Sequence, residues 1–320
     1  MKLLLEFSGE HSRIPEAELD AVLEGEGFDH SVLERFDSKR IVLLDVDAGD
    51  TRFLDRLAFT RDVSEIVSVA RTLEEAADAV VERIGGAGSF RVMSESKSIE
   101  NSLGDLIRLR GVKVNLRKPD VRVSCSRIKD RYYAGIHVER DRSFSFRKPQ
   151  HRPFFHPTSM HPKLARALVN IARVKPGDAV LDPFCGTGGI LIEAGLMGMK
   201  PVGVDIDVRM TEGCMRNLEH YGLSGRIRQG DALELKGVDA DAIVTDPPYG
   251  RASYSTDRML ESLYRGMAKK ALELLDPGRR MVITMPDSLD LSEVGLNTVD
   301  VFNVRVHRSL TRSINVLEVC

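Results

Sequence analysis

Long apolar runs are missing from this sequence. None of its 320 residues belongs to a stretch approaching the ~20 needed to cross a bilayer. The opening, MKLLLEFSGEHSR, turns polar too early for a signal-peptide core, so a cytoplasmic protein without membrane attachment is expected. Cysteine is scarce and scattered. Cys125, Cys185, Cys214 and Cys320 form no C-x-x-C pair, which argues against both a zinc site and a disulfide framework, and no metal is expected. Repeats of fixed period and low-complexity stretches are absent too, which excludes a solenoid.

An excess of one charge is also lacking, since the net charge is only −2. The distribution is nevertheless uneven. Residues 1–86 carry 10 Lys+Arg against 20 Asp+Glu, whereas residues 87–152 carry 16 against 7. The average therefore hides a basic middle segment of the kind that contacts phosphates, with a solvated basic face as the plainer alternative. Its cations cluster on one predicted helix and the loop after it: Arg108, Arg110, Lys113, Arg117, Lys118 and Arg122.

Apolar periodicity divides the chain into segments at 1–86, 87–145, 146–162 and 163–320. The first reads strand (KLLLEF), helix from Pro15, strand (RIVLLDV), then a further helix and strand (SEIVSVA). The second holds a helix, SIENSLGDLIRLRG, with Ser98 as its expected N-cap, and two strands, VRVSCS and YYAGIHV. A linker dense in Pro, His and Phe follows, expected to be ordered because Phe154 and Phe155 need packing partners. From residue 163 strands alternate with helices. DAVLD, PVGVDI, RIRQG, DAIVTD and RRMVITM predict a doubly wound parallel α/β sheet, and two late strands add an antiparallel edge hairpin.

Ligands of such sheets bind beyond the C-terminal strand ends, and four of those ends carry unusual residues. The first runs into LDPFCGTGG, where Gly186 and Gly188 allow a tight turn and close backbone approach. The second ends at Asp205, about 20 residues on, as suits an acceptor of ribose hydroxyls. The third leads to Asp231, placed either to accept from an adenine amine or to act as a turn cap. The fourth delivers TDPPYG, in which two prolines and an aromatic fix a loop directly after a buried strand. A nicotinamide dehydrogenase has no use for that last motif.

DPFCGTGG, VDID, GDA and DPPYG, in this order and spacing, resemble the motif series of S-adenosylmethionine-dependent amino methyltransferases. The segment from RVMSESKS to AGIHV resembles a THUMP RNA-binding domain, with residues 1–86 where a small ferredoxin-like domain precedes it. Across nearly its full length the chain is similar to the archaeal tRNA guanosine-10 N2 methyltransferases, which add one methyl group or two. The resemblance implies S-adenosyl-L-methionine as cofactor, tRNA as partner, no metal and a monomeric enzyme. Asp182, Gly186 and Gly188 would line the methionine end, with Thr158, Ser159 and His156 of the linker closing over it. Asp205 and Ile206 would hold the ribose side, and Asp231 and Ala232 the adenine.

Asp246, Pro247 and Tyr249 would surround the target base. An exocyclic amine is a poor nucleophile because its lone pair is delocalised into the ring. Hydrogen bonds to the Asp246 carboxylate and the Pro247 carbonyl would stabilise the charge that develops during attack, and the Tyr249 ring would stack on the extruded base. Enzymes methylating guanosine 6 share the same modules and remain an alternative. A DNA adenine N6 methyltransferase or a non-catalytic RNA-binding protein fits less of the pattern. The half from residue 156 onward is expected to bind cofactor without the rest.

Overall fold

The computed structural model describes residues 1–248, 257–286, 289, 291, 294–307 and 310–320. Its described strands form one sheet of eight and one of seven. By contacts the chain divides into two units. The first comprises Met1–Gly9, Phe28–Thr51 and Thr60–Asp141; the second comprises Glu10–Gly27, Arg52–Phe59 and Arg142–Cys320. The structure thus groups the chain differently from the expected 1–86 and 87–145 segments, because one continuous sheet runs through both.

In the first unit β1 (Lys2–Phe7) lies between β3 (Ile41–Val46) and β4 (Thr60–Ala70), with β2 (His30–Phe36) at the edge. The helix expected before β4 is only a short 3-10 segment, Arg52–Arg56, within the second unit. Strand β4 pairs antiparallel with β8 (Arg131–His137), and β7 (Val121–Ile128), β5 (Ser89–Met93) and β6 (Lys113–Val114) complete the order. The helix α1 (Ile14–Glu26), which follows β1, belongs to the second unit. It ends where expected, at Gly27 in a left-handed conformation.

Helices α2 (Leu73–Ile84) and α3 (Lys97–Leu109) pack on the sheet around Ala77, Val80, Phe90, Leu103 and Ile107. The cap of α3 is Ser96, not Ser98: its Oγ accepts from the Ile99 amide at 3.5 Å. Strands β2 and β5 and helix α2 were not legible beforehand. Strand β2 exposes most of both faces, so it lacks the alternation that marks a half-buried strand.

The second unit follows the predicted alternation closely. Helix α4 (Pro162–Ile171) leads to β9 (Ala179–Asp182), α5 (Gly189–Leu196), β10 (Lys200–Asp205), α6 (Val208–His220), β11 (Arg226–Gln229) and β12 (Ala242–Thr245). Then come α7 (Asp257–Leu274), β13 (Arg280–Met285), β14 (Leu296–His307) and β15 (Leu310–Val319). The strand order is β11-β10-β9-β12-β13-β15-β14; the first five are parallel and β15 is antiparallel to both neighbours.

Successive residues point to opposite faces, and here both faces are buried. Val180, Val244, Val282 and Ile314 join one core with α4, while Leu181, Ile243, Met281 and Ile283 join another with α7. From β9 the chain moves outward to β10 and β11, then returns to the other side of β9 as β12. The carboxyl ends of β9 and β12 therefore flank the switch point, where open α/β sheets bind ligands.

Candidate active site

A hydrogen bond joins the two strands at that switch point. Thr245 Oγ1, at the end of β12, donates to Asp182 Oδ1, at the end of β9, at 2.7 Å. The Phe184 amide donates to the same oxygen at 3.1 Å. Both side chains are buried, and burial pushes the Asp182 carboxyl up to about 7. The two hydrogen bonds favour its ionised form, while the nearby carboxylates of Asp246 and Asp205 oppose it.

After Asp182 the chain turns through Gly186 and Gly188 with φ of 48° and 81°, a region that side chains with a Cβ rarely adopt. Asp205, half-buried at the end of β10, shapes this turn: its carboxylate accepts from the Gly186 amide at 2.9 Å and from the Asp207 amide at 2.9 Å. The predicted ribose acceptor therefore also braces the glycine loop. Ile206 beside it is 72% exposed, an apolar surface left bare at the strand end. Asp231 is exposed and accepts from the Leu233 amide at 2.8 Å, so the plainer expectation, a turn cap, is realised; Ala232 after it is buried.

The linker lies against this loop. Ser159 Oγ is hydrogen-bonded to Thr187 Oγ1 at 2.8 Å, and His156 Nδ1 to Thr158 Oγ1 at 2.8 Å. Thr158 itself is exposed. Asn217 of α6, fully buried, carries most of the attachment. Its Oδ1 accepts from the Phe154 amide, and its Nδ2 donates to the Phe154 and Thr187 carbonyls, all at 2.9 Å.

Farther back, Glu193 of α5 is fully buried between two arginines. Arg147 Nε and Arg166 Nε each donate to its carboxylate at 2.8 Å. Sequence reading missed Asn217, Arg147, Arg166 and Glu193. For Asn217 the available signal was a polar residue on the inner face of an amphipathic helix, and it does not name its partner.

At the end of β12, Asp246 is bracketed by two later strands. Thr284 of β13 donates to its Oδ1, and Arg312 of β15 forms an ion pair with its Oδ2 at 3.3 Å. Both side chains of that pair are largely buried. Pro247 is buried and Pro248 exposed. Tyr249 lies outside the described residues.

The structure thus brings Asp182, Gly186, Gly188, Asp205, Ser159 and Asp246 together around neighbouring strand ends. The expected RNA-contacting cations lie in the first unit instead. Three are engaged with carboxylates: Arg108 with Asp105, Arg110 with Asp78 and Arg122 with Glu139. Lys113, Arg117 and Lys118 are exposed, and the Asn115 side chain shapes their turn by accepting from the amides of Arg117 and Lys118. Among the described residues no group of three or more His, Cys, Asp or Glu is arranged to hold a metal, and no helix is long and apolar enough to cross a membrane.

A doubly wound sheet with a glycine turn after its first strand, an acid after its second and DPP after its fourth defines a class I methyltransferase domain. Residues 149–314 match the family described as RMKL-like, methyltransferase domain, and the chain belongs to that family. It is 39% identical over 99% of both chains to a protein of Methanothermobacter thermautotrophicus named tRNA (guanine(10)-N2)-dimethyltransferase. A Thermus thermophilus protein named tRNA (guanine(6)-N2)-methyltransferase is 33% identical over 62% of each chain. The crystal structure of TrmN from Thermus thermophilus superposes with a TM-score of 0.57 at 25% identity, covering 100% of both chains.

Proposed function

We propose that this protein transfers methyl groups from S-adenosyl-L-methionine to the exocyclic N2 amine of a guanosine in tRNA, at position 10, giving the mono- and dimethylated nucleoside. One observation carries the reading. The glycine loop, Asp205 and Asp246 converge at the switch point of the sheet, in a chain that matches a position-10 enzyme end to end. The position-6 relative matches over a smaller share, which favours the first nucleotide.

The residues present fit the cofactor. Two positive-φ glycines leave a turn free of side chains, Asp182 shapes the start of that turn by accepting from the Phe184 amide, and Asp205 keeps lone pairs for hydroxyls while holding the loop. When bound, the cofactor supplies a methyl group activated by its sulfonium. The chain's own part is positioning. Thr284 and Arg312 set the rotamer of Asp246, so its carboxylate accepts from the target amine without reorganising. Arg312 pairs with that carboxylate and holds it in place to stabilise the charge that develops on the amine. Pro247 fixes the carbonyl that accepts the second hydrogen bond. Tyr249 provides the stacking face.

In this reading the first unit, with its basic segment and THUMP-like residues, binds the tRNA, and the protein acts as a metal-independent monomer in the cytoplasm. Mass spectrometry of nucleosides from unmodified tRNA incubated with protein and cofactor tests the reaction. N2-methyl- and N2,N2-dimethylguanosine at position 10 are expected. Asp246→Ala should lower the rate by about 10²-fold or more while retaining cofactor affinity. Methylation at position 6, on adenine N6 or nowhere would overturn the assignment.

A further inference from the structure

The linker lacks acid altogether. Between Asp141 and Asp178 the chain has no Asp or Glu, while Arg147, Lys148, Arg152 and three histidines fall within 142–162. Part of this segment is consumed structurally, since Arg147 and Arg152 are buried. Among the residues left outside are two phenylalanines, Phe146 at 76% and Phe155 at 51% exposed, and Phe155 is the one flanked by residues that meet α6. An exposed Phe on a segment that is otherwise ordered needs an explanation, because its neighbour Phe154 packs closely. A Cβ on Gly213 would lie 2.0 Å from the Phe154 ring, so the linker rests directly on the backbone of α6.

Where it rests, a cleft of about 370 Å³ opens, lined by Phe154, His156, Arg209, Glu212, Gly213 and Arg216. Arg209 is paired with Asp207 at 2.6 Å, and Glu212 adds a negative charge. Arg216 is exposed and makes no ion pair with any described residue. The cleft shares a wall with the glycine loop, because Asn217 bonds both Phe154 and the Thr187 carbonyl.

We infer that this linker face and cleft seat the RNA strand beside the target nucleotide, with a neighbouring base stacked on Phe155 and a phosphodiester held by Arg216. The inference rests on the methyltransferase reading. Extruding a base for chemistry unstacks its neighbour, and the exposed ring of Phe155, between cleft-lining Phe154 and His156, offers a face on which that base restacks. A phenyl ring offers every base the same π-face and no hydrogen bond, so the contact reads no sequence. The Arg216 guanidinium supplies the charge that a phosphate needs, the linker contributes no acid, and Glu212 is the one acid lining the cleft.

Steady-state kinetics of Phe155→Ala, Phe155→Tyr and Arg216→Glu with unmodified tRNA at several salt concentrations provides the test. Phe155→Ala and Arg216→Glu should raise KM for tRNA by about ten-fold, with cofactor KM unchanged, and Phe155→Tyr should stay near wild type. The slope of log KM against log salt should fall by about 0.7 in Arg216→Glu, one single-strand phosphate contact. Wild-type turnover combined with unaltered tRNA KM in both variants overturns the inference and leaves the activity standing. Should the wild type methylate no guanosine, the activity reading fails instead. Filter binding of tRNA then decides for the surface: weaker binding by the variants supports it and equal binding overturns it. Loss of binding to polyglutamate at unchanged tRNA affinity marks a protein-docking surface and equally overturns it.

Discussion

Asp182 shows how a residue singled out by motif acquires its chemistry only from its surroundings. Its position after the first parallel strand was legible, whereas its complete burial against Thr245 and near two other carboxylates was not. With its carboxyl raised to about 7, the folded state holds a proton that the unfolded chain releases near the ordinary value of ~3.9. Below about pH 4 both states are protonated and no penalty exists. Between about pH 4 and 7 only the unfolded chain ionises, so stability falls as pH rises, and above about 7 the cost is fully present. Asp182→Asn removes that cost. Thermal melts of the two proteins from pH 4 to 8 should therefore diverge in favour of the variant as pH rises. A pH-independent difference would show that Asp182 is ionised throughout.

The linker and α6 act as a pair. The density of Phe and Pro made the linker legible as ordered, but its docking partner depended on a long-range contact that no local pattern encodes. Asn217 supplies it through three hydrogen bonds of 2.9 Å, across 63 positions to Phe154 and 30 to Thr187. An amphipathic helix with one inward polar residue looks the same whether or not that residue holds a neighbouring strand of chain. Asn217→Ala leaves buried backbone groups without partners, at a cost of about 1–3 kcal/mol. A lower melting temperature is expected, together with cofactor affinity weakened by about ten-fold as the loop at Thr187 loosens. Calorimetric titration giving wild-type affinity would separate the linker from the cofactor site.

For the whole molecule the main correction concerns what the catalytic unit contains. The half from residue 156 onward was expected to bind cofactor without the rest, yet α1 and residues 52–59 are part of the same unit's core. Ile14, Ala58 and Phe59 pack with Leu164, Ala165 and Leu168 of α4. Glu18, fully buried, accepts from the Ala58 and Phe59 amides and from Asn170 Nδ2, at 2.8 to 3.0 Å. Arg56 donates to Asn170 Oδ1 at 3.1 Å and to the Val174 carbonyl at 2.6 Å. Removing these segments opens the apolar face of α4 and strands buried Asn170, losses of about 2–5 kcal/mol for each large contact.

A chain starting at Arg142 should accordingly lack a cooperative melt and bind no cofactor, as circular dichroism and calorimetry would report. A sharp melt with full-length affinity would contradict the shared core. By itself the sequence determined the parallel sheet, its antiparallel edge and the residues at its strand ends, because period-2 burial and glycine or proline at turns are local signals. Tertiary structure alone decided that an N-terminal helix completes the C-terminal unit, that Asn217 holds the linker, and that Thr284 and Arg312 brace Asp246. Those contacts join residues 38 to 152 positions apart, and a buried polar group shows the need for a partner without showing which one meets it.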